Sequence, residues 1–344
     1  MKILFIGGTG TISAAVSRAL LAQGHELYLV NRGNNRSRLP QGAISLVADV
    51  NNEQRVAELI RDLSFDAVAD FIAYVPEHLE RDYRLFKGKT KQLVFISSAS
   101  AYQKPLSDYR ISEGTPLANP FWEYSRNKIA CEEYLMQRYR SEGFPVTIVR
   151  PSHTYSETSV PLGVHGVKGS WQVLKRMLEG KPVIIHGDGT SLWTMTDSRD
   201  FARAFIGLLG NIHAIGEAVQ ITSDETLTWN QIYECIARAL NVPLRAVHVS
   251  SEMLAACSRY DFTGGLTGDK ANSVVFNNAK LKRLVPGFTA TVRFDQGVKR
   301  AVDYILAHQE CRQPDDEFDA WCDRVVAAVG KAIAAVNGAA CSAG

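Results

Sequence analysis

Over residues 1–150, short apolar runs alternate with stretches of helical spacing. Residues 3–6 (ILFI) run straight into Gly7, Gly8 and Gly10, and residues 11–23 then carry apolar positions at helical intervals. Further buried-strand runs stand at 26–30, 44–47, 67–72, 92–97 and 146–149, separated by helical patterns at 53–63, 77–86 and 123–142. Strands alternating with helices imply βαβ units, a parallel sheet and right-handed crossovers. The pattern predicts a doubly wound α/β fold. After Arg150-Pro151 the texture changes: Gly and Pro interrupt 156–195, and helical patterns at 200–209 and 229–240 follow without strict alternation.

The first element gives the fold a chemistry. Strand, tight glycine turn and helix, in that order, let backbone N–H groups approach a pyrophosphate at a helix N-terminus. Ser13 stands where a third glycine is usual and is small enough to keep the helix close to the strand. Residues 1–155, with returns near 196–225, therefore read as a Rossmann NAD(P)-binding domain with a parallel sheet. Residues 156–310 read as a smaller C-terminal substrate-binding region and 311–344 as an alanine-rich helical tail. In NAD-binding folds a carboxylate often ends the second strand and binds the ribose 2′-hydroxyl. Here Asn31-Arg32-Gly33 stands at that place, with Arg36 and Arg38 after it. A guanidinium suits a 2′-phosphate, so NADP(H) is favoured, with NAD(H) the alternative. Asp49, just after the third strand, is placed to meet the adenine.

Composition narrows the class. The 344 residues carry 38 basic and 36 acidic side chains, a net charge of +2, which gives no electrostatic argument for nucleic acid or an acidic membrane surface. No apolar run approaches the roughly 20 residues that span a bilayer, and residues 1–6 are too short for a signal-peptide core. The six cysteines are scattered without a CxxC, which argues against a disulfide framework or a zinc site. No His/Asp/Glu cluster has metal-ligand spacing. The expectation is a metal-free cytoplasmic protein acting on a small molecule.

Tyr124 and Lys128 lie four residues apart, on one face of a helix. A lysine cation beside a phenol favours the phenolate, so the tyrosine can exchange a proton with a substrate oxygen near neutral pH. Spacing alone decides nothing, because Tyr83 and Lys87 repeat it. Position decides. Tyr124 follows the strand QLVFIS and the segment Ser97-Ser98-Ala99-Ser100, at the carboxyl end of a parallel strand, where ligands bind. Ser98 is then able to orient a substrate oxygen beside Tyr124, whereas Tyr83 reads as an ordinary helix residue. The serines have no GxSxG setting, which excludes a hydrolase.

Gly7/Gly10, Asp49, Ser98, Tyr124 and Lys128, in this order, resemble the short-chain dehydrogenase/reductase superfamily, specifically its extended, NAD(P)-dependent epimerase/dehydratase-like branch. Arg150-Pro151 with Tyr155, His186-Gly187-Asp188-Gly189, Asp197 with Asp200-Phe201-Ala202, and Val275-Phe276-Asn277 are similar to later segments of that branch, so the likeness covers about residues 1–305. The resemblance implies Ser98, Tyr124 and Lys128 as a catalytic triad. It implies dinucleotide contacts from Gly7, Gly10, Thr11 and Ile12, from Asn31, Arg32 and Arg36, and from Asp49 and Val50. Phe71, Ile72 and Ala73, with Pro151 and His153, complete that set beside Tyr124 and Lys128. Substrate contacts fall to Tyr74, Ser98, Ser100, Tyr155 and Trp193. The branch also implies a homodimer through the helix bearing Tyr124 and its neighbour.

The chain departs from the branch at three places. Ser156 replaces a glycine, and Asp70 is acidic where many members carry a polar non-acidic residue, as in an atypical subgroup related to stem-loop RNA-binding proteins. Trp193 lies where many sugar-nucleotide enzymes place an arginine for the diphosphate; it reads either as a packed aromatic or as a stacking surface. The expected function is an epimerase/dehydratase-type oxidoreductase acting at a hydroxyl or carbonyl carbon of a sugar-nucleotide or related substrate. The alternatives are an NADPH-dependent reductase of a non-nucleotide carbonyl compound, and a non-catalytic NADP(H)- or RNA-binding member.

Overall fold

The computed structural model describes residues 1–33 and 39–341. Seven parallel strands form one sheet. In chain order they are β1 (Lys2–Ile6), β2 (Glu26–Asn31), β3 (Ile44–Val47), β4 (Ala67–Asp70), β5 (Leu93–Ile96) and the later strands Val146–Pro151 and Ala218–Ile221. Their spatial order is Ala218–Ile221, Val146–Pro151, β5, β4, β1, β2, β3. The order reverses between β1 and β4, and an open parallel sheet binds ligands at the carboxyl ends of its strands beside such a switch. The doubly wound α/β fold of the sequence reading is thus observed.

The two-residue period of a strand sorts the core. Ile3, Phe5, Leu27, Leu29, Val94 and Ile96 pack on one face, against Val16 and Leu20 of α1 (Thr11–Ala22) and against Phe201, Phe205 and Leu208 of the helix Ser198–Leu208. Leu4, Ile6, Tyr28, Val30, Leu93 and Phe95 pack on the other. There they meet Val56 of α2 (Glu53–Leu59), Leu79, Leu85 and Phe86 of α3 (Pro76–Phe86), and Cys131 and Leu135 of α4 (Glu123–Glu142). Strands buried on both faces read as continuous apolar runs, which is why the runs were visible in the sequence. The helical pattern at 53–63 ends early, at Leu59. The chain turns there to bring Phe65 into the core, where it bridges Thr90.

By its contacts the chain forms two compact units. The first comprises Met1–Ser156, Thr194–Thr226 and Asn272–Arg293, and the second Glu157–Trp193, Leu227–Ala271 and the chain from Phe294 onward. The second unit holds the parallel pair Val183–His186 and Ala246–Val249 and the helices Trp171–Leu178, Trp229–Ala239, Phe294–Ala307 and Asp316–Cys341. Within it the buried Arg176 pairs with Asp319 and Asp323, fixing the last helix to Trp171–Leu178. Among the described residues no helix is long and apolar enough to cross a membrane, and no group of His, Cys, Asp and Glu could hold a metal ion.

Candidate active site

At the carboxyl end of β1 the backbone takes two positive φ angles, +96° at Gly7 and +124° at Gly8. A Cβ on Gly8 would stand 2.7 Å from Leu29 Cδ2, and one on Gly7 3.2 Å from Ile72 Cγ2. Only glycine leaves this turn open. Ser13 makes a definite contribution: its hydroxyl accepts the Gly10 N–H at 3.0 Å and so closes the N-terminus of α1. Thr11 and Ile12 occupy the first turn of that helix, where backbone N–H groups lack intrahelical partners.

A cavity of about 410 Å³ opens beside this turn, lined by Gly7, Thr9, Asn31, Arg32, Asp49, Asn51 and Ile72 among others. Val50 also lines it. Asn31 is engaged with its own turn: its Oδ1 accepts the Gly33 N–H at 2.9 Å and its Nδ2 donates to the Leu29 carbonyl and to Ser45 Oγ. Arg32 is exposed at the rim. Arg36 lies outside the described residues. A glycine cradle that a Cβ would fill, a helix N-terminus and an adjoining cavity fit a dinucleotide.

Lys128 on α4 is 3% exposed. Its ammonium donates to the Ala73 and Ile96 carbonyls, both at 2.7 Å. It also faces three rings, at 4.8 Å from the centre of Phe95, 4.9 Å from Tyr74 and 5.6 Å from Tyr124. Burial lowers its pKa to about 8. The half-buried Tyr124 ring packs against Trp122 at 4.9 Å and Tyr74 at 6.0 Å between centroids.

Ser98 caps the short turn Ala99–Ala101 after β5. Its Oγ accepts the Ser100 N–H and lies 2.9 Å from Ser100 Oγ, and Ser125 donates to Ser100 Oγ at 2.8 Å. Ser125 neighbours Tyr124 on α4, so a chain of three hydroxyls ties Ser98 to that helix. Asn119 fixes the same turn by donating to the Ser100 carbonyl. Nothing in the sequence pattern distinguished Ser125 or Asn119. The other Tyr–Lys pair is engaged elsewhere: Lys87 donates to Tyr83 and to Glu142 on the exposed faces of α3 and α4.

The remaining predicted site residues take several different settings. Ile72 and Tyr74 are 41% and 50% exposed, beside the cavity and Tyr124 respectively. Ala73 contributes its carbonyl to Lys128. Phe71 instead turns its ring into the core, against Phe5 and Phe205. Pro151 ends its buried strand, and the half-buried His153 lies on the short strand that pairs with Met195–Asp197. Tyr155 is 3% exposed in the first unit. In the second unit Trp193 is 4% exposed and packs against Trp229 at 5.9 Å.

Glycine turn, switch-point cavity and Tyr–Lys helix together define a dinucleotide-dependent enzyme on a Rossmann-type sheet. The chain belongs to the NAD dependent epimerase/dehydratase family, whose model matches residues 3–222. It is 26% identical over 298 residues to 2′-dehydrokanamycin reductase of Streptomyces kanamyceticus, covering 84% of this chain and 80% of that protein. It is 28% identical over 256 residues to a chloroplast stem-loop binding protein of 41 kDa from Arabidopsis thaliana, covering 70% of this chain and 64% of the other. Among solved structures, an epimerase from Methanothermobacter thermautotrophicus matches with a TM-score of 0.72 at 16% identity over 90% of this chain and 93% of that one. The UDP-glucose 4-epimerase of Thermotoga maritima matches with a TM-score of 0.71 at 20% identity over 89% and 99%. At those identities the structures speak for the fold alone. The expectation of an NAD(P)-dependent enzyme of the epimerase/dehydratase or reductase type is met by the family.

Proposed function

We propose that the chain moves a hydride between NADP(H), or alternatively NAD(H), and a hydroxyl or carbonyl carbon of a sugar-nucleotide or related substrate, with Ser98, Tyr124 and Lys128 as its catalytic residues. The observation that carries this reading is the setting of Lys128, a buried ammonium held by two neutral carbonyls beside the Tyr124 ring. The bound dinucleotide supplies the hydride acceptor or donor. Lys128 lowers the pKa of the Tyr124 phenol, which takes the proton of a substrate hydroxyl or returns it to a carbonyl oxygen. Ser98 orients that oxygen. With Ser125 donating to Ser100 Oγ and Ser100 donating on to Ser98, the Ser98 O–H would serve as the donor.

The same set supports epimerisation, dehydration or simple reduction, according to whether hydride is returned, elimination intervenes or the reduced dinucleotide leaves. Epimerase/dehydratase-type chemistry is the first reading. A reductase of a non-nucleotide carbonyl compound is the second. It is favoured by the burial of Trp193, where many sugar-nucleotide enzymes place an arginine, and by the reductase that matches over most of the chain. Gly7, Gly10, Thr11 and Ile12 would hold the pyrophosphate, Asp49 the adenosine and Arg32 a 2′-phosphate. A homodimer through α3 and α4 belongs to the same reading.

Denaturing the purified protein and identifying any released nucleotide by absorbance and mass tests this. Retained NADP⁺ or NAD⁺ supports recycling within one turnover, hence an epimerase or dehydratase. An empty protein that binds NADPH weakly and reversibly supports a reductase. Failure to bind either dinucleotide overturns the proposal.

A further inference from the structure

One fully buried carboxylate beside the site is not used by the triad. Asp70 ends β4 and is fully buried. One carboxylate oxygen accepts the backbone N–H groups of Ile72 at 2.6 Å and Ala73 at 2.8 Å. The other accepts the Arg81 guanidinium at 2.9 Å. The carboxylate therefore closes the turn of residues 70–73, and that turn reaches the site twice. Ile72 walls the nucleotide cavity, and the Ala73 carbonyl holds Lys128 at 2.7 Å.

Behind the turn Asp70 shares its guanidinium with a second carboxylate. Arg81 on α3 is 4% exposed and also pairs with the fully buried Asp82. Two carboxylates share one guanidinium. Burial and the neighbouring Asp70 push the Asp82 carboxyl well above the usual carboxylate range. Arg81 further donates to Asn51 Oδ1 at 3.0 Å, and Asn51 lines the cavity. One network thus runs from the cavity wall to the carbonyl that carries the lysine.

We propose that Asp70 is a positioning residue: by closing the 70–73 turn it sets the Ala73 carbonyl that holds the Lys128 ammonium beside Tyr124, and it sets the Ile72 wall of the nucleotide cavity with the same carboxylate. The proposal rests on Lys128 acting through Tyr124. Asp70→Ala removes the turn's acceptor. Asp70→Asn keeps an oxygen for both N–H groups, and Asp82 still accepts from Arg81. The conservative variant therefore restores the turn.

The decisive experiment is reductive methylation of the intact protein, read by mass spectrometry at each lysine, with the equally buried Lys104 as internal control. Lys128 in Asp70→Ala is expected to label at least about tenfold faster than in the wild type, with Lys104 unchanged and Asp70→Asn close to wild type. The NADPH dissociation constant should rise in Asp70→Ala. Its turnover should also reach half-maximum at a pH about one unit higher, because the cation no longer faces the phenol; a merely loosened structure would scale turnover evenly across pH. Wild-type protection of Lys128 in Asp70→Ala overturns the proposal. So does faster labelling of Lys128 in Asp70→Asn with Lys104 still protected. If Asp70→Ala does not fold, Asp70→Ala with Arg81→Met removes the stranded guanidinium and serves in its place. The footprint decides the positioning role even if the wild type turns over no substrate, so failure of the catalytic reading is seen separately.

Discussion

Lys128 Nζ lies 5.6 Å from the centre of the Tyr124 ring, one helical turn away on α4, and its hydrogen bonds go to the Ala73 and Ile96 carbonyls. Neutral partners hold the cation without cancelling it, so its field remains available to the phenol. Tyr124→Phe keeps the ring packed on Trp122 and Tyr74 and removes only the hydroxyl. Turnover is expected to fall by about 10²–10⁴. The NADPH dissociation constant should move less than about twofold. Steady-state rates and fluorescence titration of the same preparation separate the two effects. Wild-type turnover in the variant would remove Tyr124 from the catalytic set.

The buried lysine also makes stability depend on pH. Burial draws its pKa from 10.5 down to about 8. Between those values the unfolded chain binds more protons than the folded one, so this group makes stability rise with pH across that window. Below it, the folded protein bears the full cost of the buried charge. Cys131 acts in the opposite sense higher up. Burial pushes its thiol from 9.0 to about 12, so above pH 9 the folded state holds the extra proton and loses stability. Urea unfolding at about pH 7.5 and about pH 9 isolates the lysine. The wild-type midpoint is expected to gain more over that interval than the midpoint of Lys128→Met. An equal gain in both proteins would assign the effect to another group.

Arg32 is the described cation at the nucleotide cavity's rim, on the turn that follows β2. Asn31 beside it is committed to Gly33, Leu29 and Ser45. On the proposed function, discrimination at the ribose 2′ position would fall to Arg32 among the described residues. Arg32→Ala should weaken NADPH binding by about ten- to a hundredfold, the worth of a charge-assisted hydrogen bond to phosphate. NADH binding should change less than about twofold. Equal losses for the two dinucleotides, measured by titration, would show that Arg32 does not read the 2′-phosphate.

The parts of this molecule that rest on local pattern were legible. The run Ile3–Ile6 and the glycines after it gave strand, turn and helix directly, because a strand buried on both faces needs a continuous apolar run. Which face each residue takes is set by its neighbours: Ile3 and Phe5 meet Phe201 and Phe205, about 200 positions on. Asp70 was visible as a departure from its relatives, but its partners were not. Arg81 and Asp82 lie within the helical pattern at 77–86, and their burial follows from α3 meeting the end of β4 through the Arg81–Asp70 pair. Ser125 carries no pattern at all, since a serine acquires a role when another hydroxyl is brought to it. Tyr83 and Lys87 have the spacing of Tyr124 and Lys128, and only the strand end before Tyr124 told them apart.

The glycine turn offers the sharpest separation of backbone conformation from space. Gly8 combines a φ of +124° with a Cβ position 2.7 Å from Leu29 Cδ2, and Leu29 is fully buried in the sheet. Gly88 also has a positive φ, +75°, but a Cβ there would meet nothing within 4 Å. Gly88→Ala should cost only the left-handed backbone penalty, about 1–2 kcal/mol, and leave dinucleotide binding unchanged. Gly8→Ala should cost at least that much, its φ lying beyond the left-handed well, and a further 1–3 kcal/mol or so for overpacking the Leu29 side of the core. It should also weaken NADPH binding by at least about tenfold, because the turn proposed to admit the pyrophosphate must shift. Thermal unfolding and NADPH titration on both variants check the pair. If Gly8→Ala proves no worse than Gly88→Ala on either measure, close approach of backbone to ligand is not what Gly8 provides.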